Sequence, residues 1–179
     1  MSQPLIGLLT GPVGVGKTTV AERVVSLARM RGLDCGGLLA PAMVDDCGLK
    51  VGVWGVDVRT GERHILARTD QDVGGPSIGP YSFDAEGLSW AAGVVDGAAG
   101  DCDLLVVDEI GKLELWQGLG LVRILPRLAA GEVSRALVLV RDSLLAELQA
   151  RLVSAKPLVF VVSEENRGRI APTVLDGLC

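Results

Sequence analysis

Apolar residues occur along this chain in two kinds of run. Leu5–Leu9, Leu104–Val107, Ala136–Val140 and Leu158–Val162 are short and almost continuously apolar, the pattern of strands covered on both faces. Elsewhere apolar positions recur three and four residues apart. Val20, Val24, Leu27 and Ala28 predict a helix from Lys17 to about Arg31, stopped by Gly32. Leu88, Ala91 and Val95 predict a second helix capped by Asp84. Leu145, Leu148 and Leu152 predict another, capped by Asp142 or Ser143 and carrying Glu147 and Arg151 as an i, i+4 pair. A helix from about Trp116 is broken or ended by Pro126, and Ser163-Glu164-Glu165 begins a terminal helix. Strands alternating with amphipathic helices imply an α/β fold, a mostly parallel sheet between two helical layers.

The middle of the chain departs from that alternation. Leu38–Ala40 and Val51–Val58 read as strands, and the Thr60-Gly61 turn before Ile65–Ala67 predicts an inserted hairpin. Asp72–Pro80, dense in Gly and Pro, reads as loop. There is no internal repeat, and 179 residues suit a single domain spanning 1–179.

Composition narrows the partners. The residues are 49% apolar and 22% charged, and 24 glycines with 8 prolines stay below the roughly 25–30% that marks low-complexity chains. A net charge of −5 argues against general binding to nucleic acid or an anionic membrane, while leaving room for a local anion site. The stretch from Met1 to Gly16 is uncharged but lacks a basic start and is broken by Pro4, Gly7, Gly11, Pro12, Gly14 and Gly16, so it is not read as a signal peptide. No run approaches 18 apolar residues, so no membrane span is expected. Cys35, Cys47, Cys102 and Cys179 form no metal-like spacing with the single His64, and read as free thiols of a cytoplasmic protein. The lack of a long exposed apolar helix face predicts a monomer.

The chemistry concentrates in two places. Gly11-Pro12-Val13-Gly14-Val15-Gly16-Lys17-Thr18 fits G-x-x-x-x-G-K-[ST] between a predicted strand and a predicted helix. Glycines let the backbone curl so that N–H groups face phosphate oxygens, and the helix adds its positive end. Lys17 is expected on the β- and γ-phosphates, Thr18 on Mg²⁺ and Thr19 on the α-phosphate. The second place is the end of the Leu104–Val107 strand. There Asp108 is placed to hold a water of the metal shell, and Glu109 to orient and deprotonate an attacking water. Lys112, three residues on, either offsets charge developing on the transferred phosphoryl group or simply opens a helix in solvent. Glu114 is expected to pair with a basic neighbour.

GPVGVGKTT, LLVVDEIGKLEL and SEENRGRIAP together resemble the thermophile and cancer-related nucleoside-triphosphatase family, with TGER and GPYSFD as weaker matches. The resemblance implies a RecA-like P-loop NTPase core and Mg²⁺-dependent hydrolysis of nucleoside triphosphates to diphosphates, with little base selectivity. It also implies that the Ala136–Val140 strand lies between the two motif strands, with Arg141 or Asp142 near the γ-phosphate as a sensor. Asn166 and Arg167, in Glu165-Asn166-Arg167, would then lie near the base or ribose; the alternative is that they begin a helix capped by Ser163. Trp54, Trp90 and Trp116 are expected to pack, and His64 to lie at the surface or rim without a catalytic role. Arg59, Arg63 and Arg68 either close over the phosphates or belong to a solvated hairpin.

Two other functions stay open. A nucleotide or small-molecule kinase would need an acceptor-binding acid, for which Asp45-Asp46 is the candidate. A nucleotide-dependent binding switch would tolerate slow turnover, since no obvious cis arginine finger is present; the N-K-x-D base-reading motif of GTPase switches is absent.

Overall fold

The structure, a computed structural model, describes residues 4–179; residues 1–3, where the uncharged leading stretch starts, lie outside it. In chain order the elements are β1 (Leu5–Gly11), α1 (Lys17–Met30), β2 (Cys35–Leu39), β3 (Ala42–Val44), β4 (Lys50–Asp57), β5 (Arg63–Arg68), β6 (Ser77–Ile78) and β7 (Tyr81–Phe83). They continue as α2 (Ala85–Ala98), β8 (Leu104–Ile110), α3 (Lys112–Gln117), α4 (Ile124–Ala129), β9 (Arg135–Arg141), α5 (Leu145–Arg151), β10 (Leu158–Val161) and α6 (Ala171–Gly177).

One mixed sheet runs β10-β1-β9-β8-β2-β4-β5-β7-β6, with β3 added on β4. The strands from β10 to β2 are parallel, and those beyond pair antiparallel. β9 therefore separates the two motif strands, β1 and β8, as the sequence reading expected.

Alternation along the strands feeds two cores. On β9, Ala136, Val138 and Val140 face Ala91 and Val95 of α2, Leu125 and Leu128 of α4 and Leu148 of α5. Leu137 and Leu139 face Val20, Val24 and Ala28 of α1 and Val174 of α6. Leu8, Leu137 and Leu139 are fully buried, each worth about 1.5–3 kcal/mol of transfer free energy. Asp84 caps α2 by accepting from the Gly87 N–H at 2.6 Å, and Glu147 pairs with Arg151 at 3.2 Å.

Four expectations need correction. β8 does not stop before the acids but carries both Asp108 and Glu109 inside it. The helix expected from Trp116 is instead α3, which starts at Lys112 and ends at Gln117, where Gly118, with a φ of 65°, closes the turn. Pro126 breaks nothing, because it lies in the first turn of α4, where its missing N–H has no partner to lose. Ser163-Glu164-Glu165 opens a run of turns, and the terminal helix starts only at Ala171. The Asp72–Pro80 loop also contains the short strand β6, and β3 was not anticipated.

Candidate active site

The parallel strands deliver their C-terminal ends to one edge of the sheet, where the site is built. β1 ends at Gly11, whose φ is +154° and whose added Cβ would sit 2.6 Å from the Val162 carbonyl oxygen. Only glycine fits so close an approach. At the far end of the loop Gly16, at φ +104°, starts α1 without a side-chain cap, and no acidic residue sits in the first turn. The N-terminal N–H groups of a 14-residue helix are thus left for an anion. Pro12, Val13 and Gly14 form the exposed crown of the loop, and Val15 packs beneath it in the α1 core.

Lys17 turns back into the loop, donating from Nζ to the carbonyl oxygens of Gly11 at 2.9 Å and Pro12 at 3.0 Å. Desolvation pulls its pKa below the ordinary lysine value, opposed chiefly by Glu109 and Asp108. Thr18 Oγ1 donates to Asp108 Oδ2 at 2.8 Å, and the Ala40 N–H donates to the same oxygen at 2.9 Å. The carboxylate, 4% exposed, is pushed up by burial to about 6, although those two donors favour its charged form.

Between Val107 and Ile110 the register of β8 against β9 shifts, with three steps on β8 matched by two on β9. At that irregularity Glu109 meets Arg141, the last residue of β9, whose Nε and Nη2 both lie 3.0 Å from Glu109 Oε1. Lys112 Nζ rests 4.9 Å from the centre of the Trp116 ring, so the lysine at the start of α3 is held by a cation–π contact. Trp116 itself is 62% exposed, contrary to the expected packing, and its Nε1 donates to Glu147 at 3.2 Å. Trp54 and Trp90 are half-buried as expected.

Among the described residues Glu114 has no basic partner. It is buried and accepts from the N–H groups of Gly111 at 2.9 Å and Leu121 at 3.2 Å, fixing the turn that launches α3. Burial, partly offset by those N–H groups, raises its pKa above the usual carboxylate value.

Beside the loop lies a cleft of about 380 Å³ lined by Gly16, Thr19, Arg23, Glu164, Arg167 and Gly168 among others. Arg167 Nη1 reaches the Val15 carbonyl at 3.5 Å, and Arg23 Nη1 donates to the Arg167 and Gly168 carbonyls at 3.2 Å each. Asn166 is engaged by main chain. Its Oδ1 accepts from the Ser163 N–H at 2.9 Å and its Nδ2 donates to the Val161 carbonyl at 2.8 Å, so it shapes the turn that forms the cleft wall.

Of the hairpin arginines, Arg59 is turned away from the site. Arg59 binds Asp34 and Asp101, which precede β2 and β8 and so mark the opposite edge of the sheet. Arg63 opens β5 opposite Val56, which pairs with Leu39 at the end of β2, and Arg68 pairs with its neighbour Asp70 at 2.6 Å. A closing arginine lid is therefore excluded for the hairpin tip. His64 stacks on Trp90 with centroids 4.2 Å apart, outside the site as expected.

Against known proteins, the model of the family described as NTPase matches residues 7–175. The nucleoside-triphosphatase THEP1 of Methanopyrus kandleri is 30% identical over 94% of this chain and 92% of its own. This chain belongs to the THEP1 nucleoside-triphosphatase family. The Archaeoglobus fulgidus THEP1 is 31% identical over 93% of this chain and 94% of its own. Two solved structures share the fold: THEP1 from Aquifex aeolicus, with a TM-score of 0.75 at 19% identity, covering 97% of this chain and 99% of that one. The other, a human cancer-related nucleoside triphosphatase, has a TM-score of 0.74 at 24% identity, covering 98% and 96%.

Within this THEP1-family site, sequence reasoning missed Arg23 and the Ala40 N–H. No motif marks them, because one acts through carbonyls on a distant turn and the other through main chain. Arg141 was expected near the phosphates, but its grip on Glu109 had no signal in the sequence.

Proposed function

We propose that residues 1–179 act as one unit that hydrolyses nucleoside triphosphates, ATP and GTP among them, to nucleoside diphosphate and phosphate in a Mg²⁺-dependent reaction. The observation that carries this reading is the 2.8 Å contact of Thr18 with Asp108, which ties the phosphate loop to an acidic strand 90 residues away. Family membership supports the reaction class.

The donor set fits Mg²⁺. Among the described residues no group of three or more His, Cys, Asp or Glu would cage a metal alone. A hydroxyl and one buried carboxylate, completed by substrate oxygens and water, suit this cation. Thr18 would ligate it and Asp108 would hold one of its waters; when bound, magnesium neutralises charge on the phosphate oxygens.

The chain's own residues do the rest. Main-chain N–H groups from Gly11 to Thr18 cradle the polyphosphate, and Lys17 leaves the Gly11 and Pro12 carbonyls for the β- and γ-phosphates. Glu109 takes the proton of a water whose oxygen bonds to the γ-phosphorus as the bridging P–O bond breaks. Lys112 lies close in sequence to balance the charge that develops. Thr19 serves the α-phosphate, Arg167 borders the nucleoside, and Asn166 acts on the nucleoside only through the turn it holds. The cleft's residues include no aromatic platform, in keeping with little selectivity among bases.

Of the acids the kinase reading would need, Asp45 uses Oδ1 on its own turn, accepting from the Cys47 and Leu49 N–H groups at 2.9 Å each, and Asp46 beside it is exposed. The hydrolase reading is preferred on the phosphate-loop and Asp108 geometry. No described helix is long and apolar enough to cross a membrane. With a net charge of −5, we infer a cytoplasmic monomer acting on free nucleotides, without nucleic acid or membrane partners.

Phosphate release from ATP, GTP, CTP and UTP, with and without Mg²⁺ and with no acceptor added, tests this. Comparable metal-dependent rates are expected, and Glu109→Gln should bind nucleotide yet turn over about 10²-fold more slowly. Transfer only when an acceptor is present would overturn the proposal.

A further inference from the structure

Three of the cations around the phosphate site are held by internal partners: Lys17 by two loop carbonyls, Lys112 by the Trp116 ring and Arg141 by Glu109. The third differs in kind, because its partner is the residue assigned to activate water. Both arginine nitrogens converge on the single oxygen Oε1, and the two side chains are 30% and 28% exposed. Among the described residues the guanidinium has no other side-chain partner.

Its place in the fold ties it to the phosphate loop as well. Arg141 ends the strand that separates β1 from β8, and it pairs in register with Gly11, the first residue of the loop. Glu109, Asp108, Arg141 and Asp142 all lie close enough to Lys17 to act on its ammonium. A phosphoryl group held beyond the one gripped by the loop therefore enters the reach of Arg141. A guanidinium matches phosphate at least as well as carboxylate, and a terminal phosphoryl group carries more charge than one carboxylate.

We propose that Arg141 is a latch on Glu109 that opens for a γ-phosphoryl group. This rests on the hydrolase reading above. Without nucleotide, or with a diphosphate, the guanidinium stays on Oε1. A triphosphate draws it onto the γ-oxygens, which frees Oε1 to accept the water proton. The water oxygen then bonds to the γ-phosphorus, and the electron pair of the broken P–O bond leaves on the diphosphate. Arg141 also supplies in cis the positive charge that no motif in the sequence announces.

A double-mutant cycle read by equilibrium binding tests the latch, using the β,γ-imido analogue of ATP and ADP as probes. In wild type the analogue must displace a carboxylate from Arg141; in Glu109→Gln it need not. The variant is therefore expected to bind the analogue about 3- to 10-fold more tightly than wild type, with ADP affinity unchanged. Arg141→Gln is expected to lose a similar factor of preference for the analogue over ADP, and Arg141→Lys to restore part of it. In the Arg141→Gln background, Glu109→Gln should bring no gain. An unchanged analogue affinity in Glu109→Gln, or the same gain in both backgrounds, overturns the latch. Turnover of Glu109→Gln decides separately whether Glu109 is the base: wild-type rates would remove Glu109 from the mechanism, and transfer that needs an acceptor would sink the hydrolase assignment, whatever the binding cycle shows.

Discussion

The two halves of the sheet obey different rules. From β10 to β2 the strands are parallel, and in β8 and β9 nearly every residue is buried, with helices on both faces. From β4 to β6 the pairing is antiparallel, and β4 and β5 are largely half-buried, edged by ion pairs such as Arg59 with Asp34 and Arg68 with Asp70. Every group assigned to phosphate chemistry comes from the parallel half. A strand that cannot shift, because both faces are packed, aims the residues at its end; a half-solvated ribbon has no such constraint.

Substitutions in the two halves sharpen that contrast. The largest loss is expected for Lys17→Ala, which should lower kcat/KM for triphosphates by about 10³-fold through binding and turnover together. Phosphate-release kinetics at several substrate concentrations check it. Next comes Leu139→Ala, which empties a fully buried position between β9 and α1 and should cost about 2–5 kcal/mol in denaturant unfolding. Val53→Ala, on the half-buried β4, should cost less than about 1.5 kcal/mol.

The third prediction concerns acid. The folded pKa of Asp108, about 6, lies above its ordinary 3.8, so its contribution to stability is fully present below about pH 4 and is lost as pH rises through 6. Glu114 shifts in the same direction. Without nucleotide or divalent cation, Asp108→Asn should therefore be more stable than wild type by about 1.5–3 kcal/mol at pH 7.5, with the difference vanishing near pH 4. Urea melts at both pH values measure it, and a difference independent of pH would refute it. The smallest effect belongs to Arg59→Ala, which lies at the edge opposite the site. Its phosphate release should equal wild type and its unfolding midpoint should barely move.

What the sequence revealed follows the same division. The inner parallel strands were legible because covering both faces demands continuous apolar runs, an apolar run that β10 shares although it is exposed, and the phosphate loop because tight glycine geometry leaves a fixed spacing. Asp108 and Glu109 stood out as charges at the end of such a run. Short elements were not legible: β3 has three residues and α3 six, too few to show a period. Glu114 looked like a surface acid, since burial against main-chain N–H groups leaves no complementary residue type to find. The backbone role of Asn166 was hidden for a related reason, because an amide that binds backbone cannot be told from one that reads a base until the turn is seen.

That amide has one more consequence. β10 is the outermost strand on its side and shows Leu158, Val159 and Val161 to solvent. The groups Asn166 occupies, the Val161 carbonyl and the Ser163 N–H, are main-chain positions that an incoming strand would use. The clasp that shapes one wall of the cleft is thus also a stopper against sideways stacking of molecules. Its removal would leave the flank sticky, so poor nucleotide handling and precipitation would arrive together.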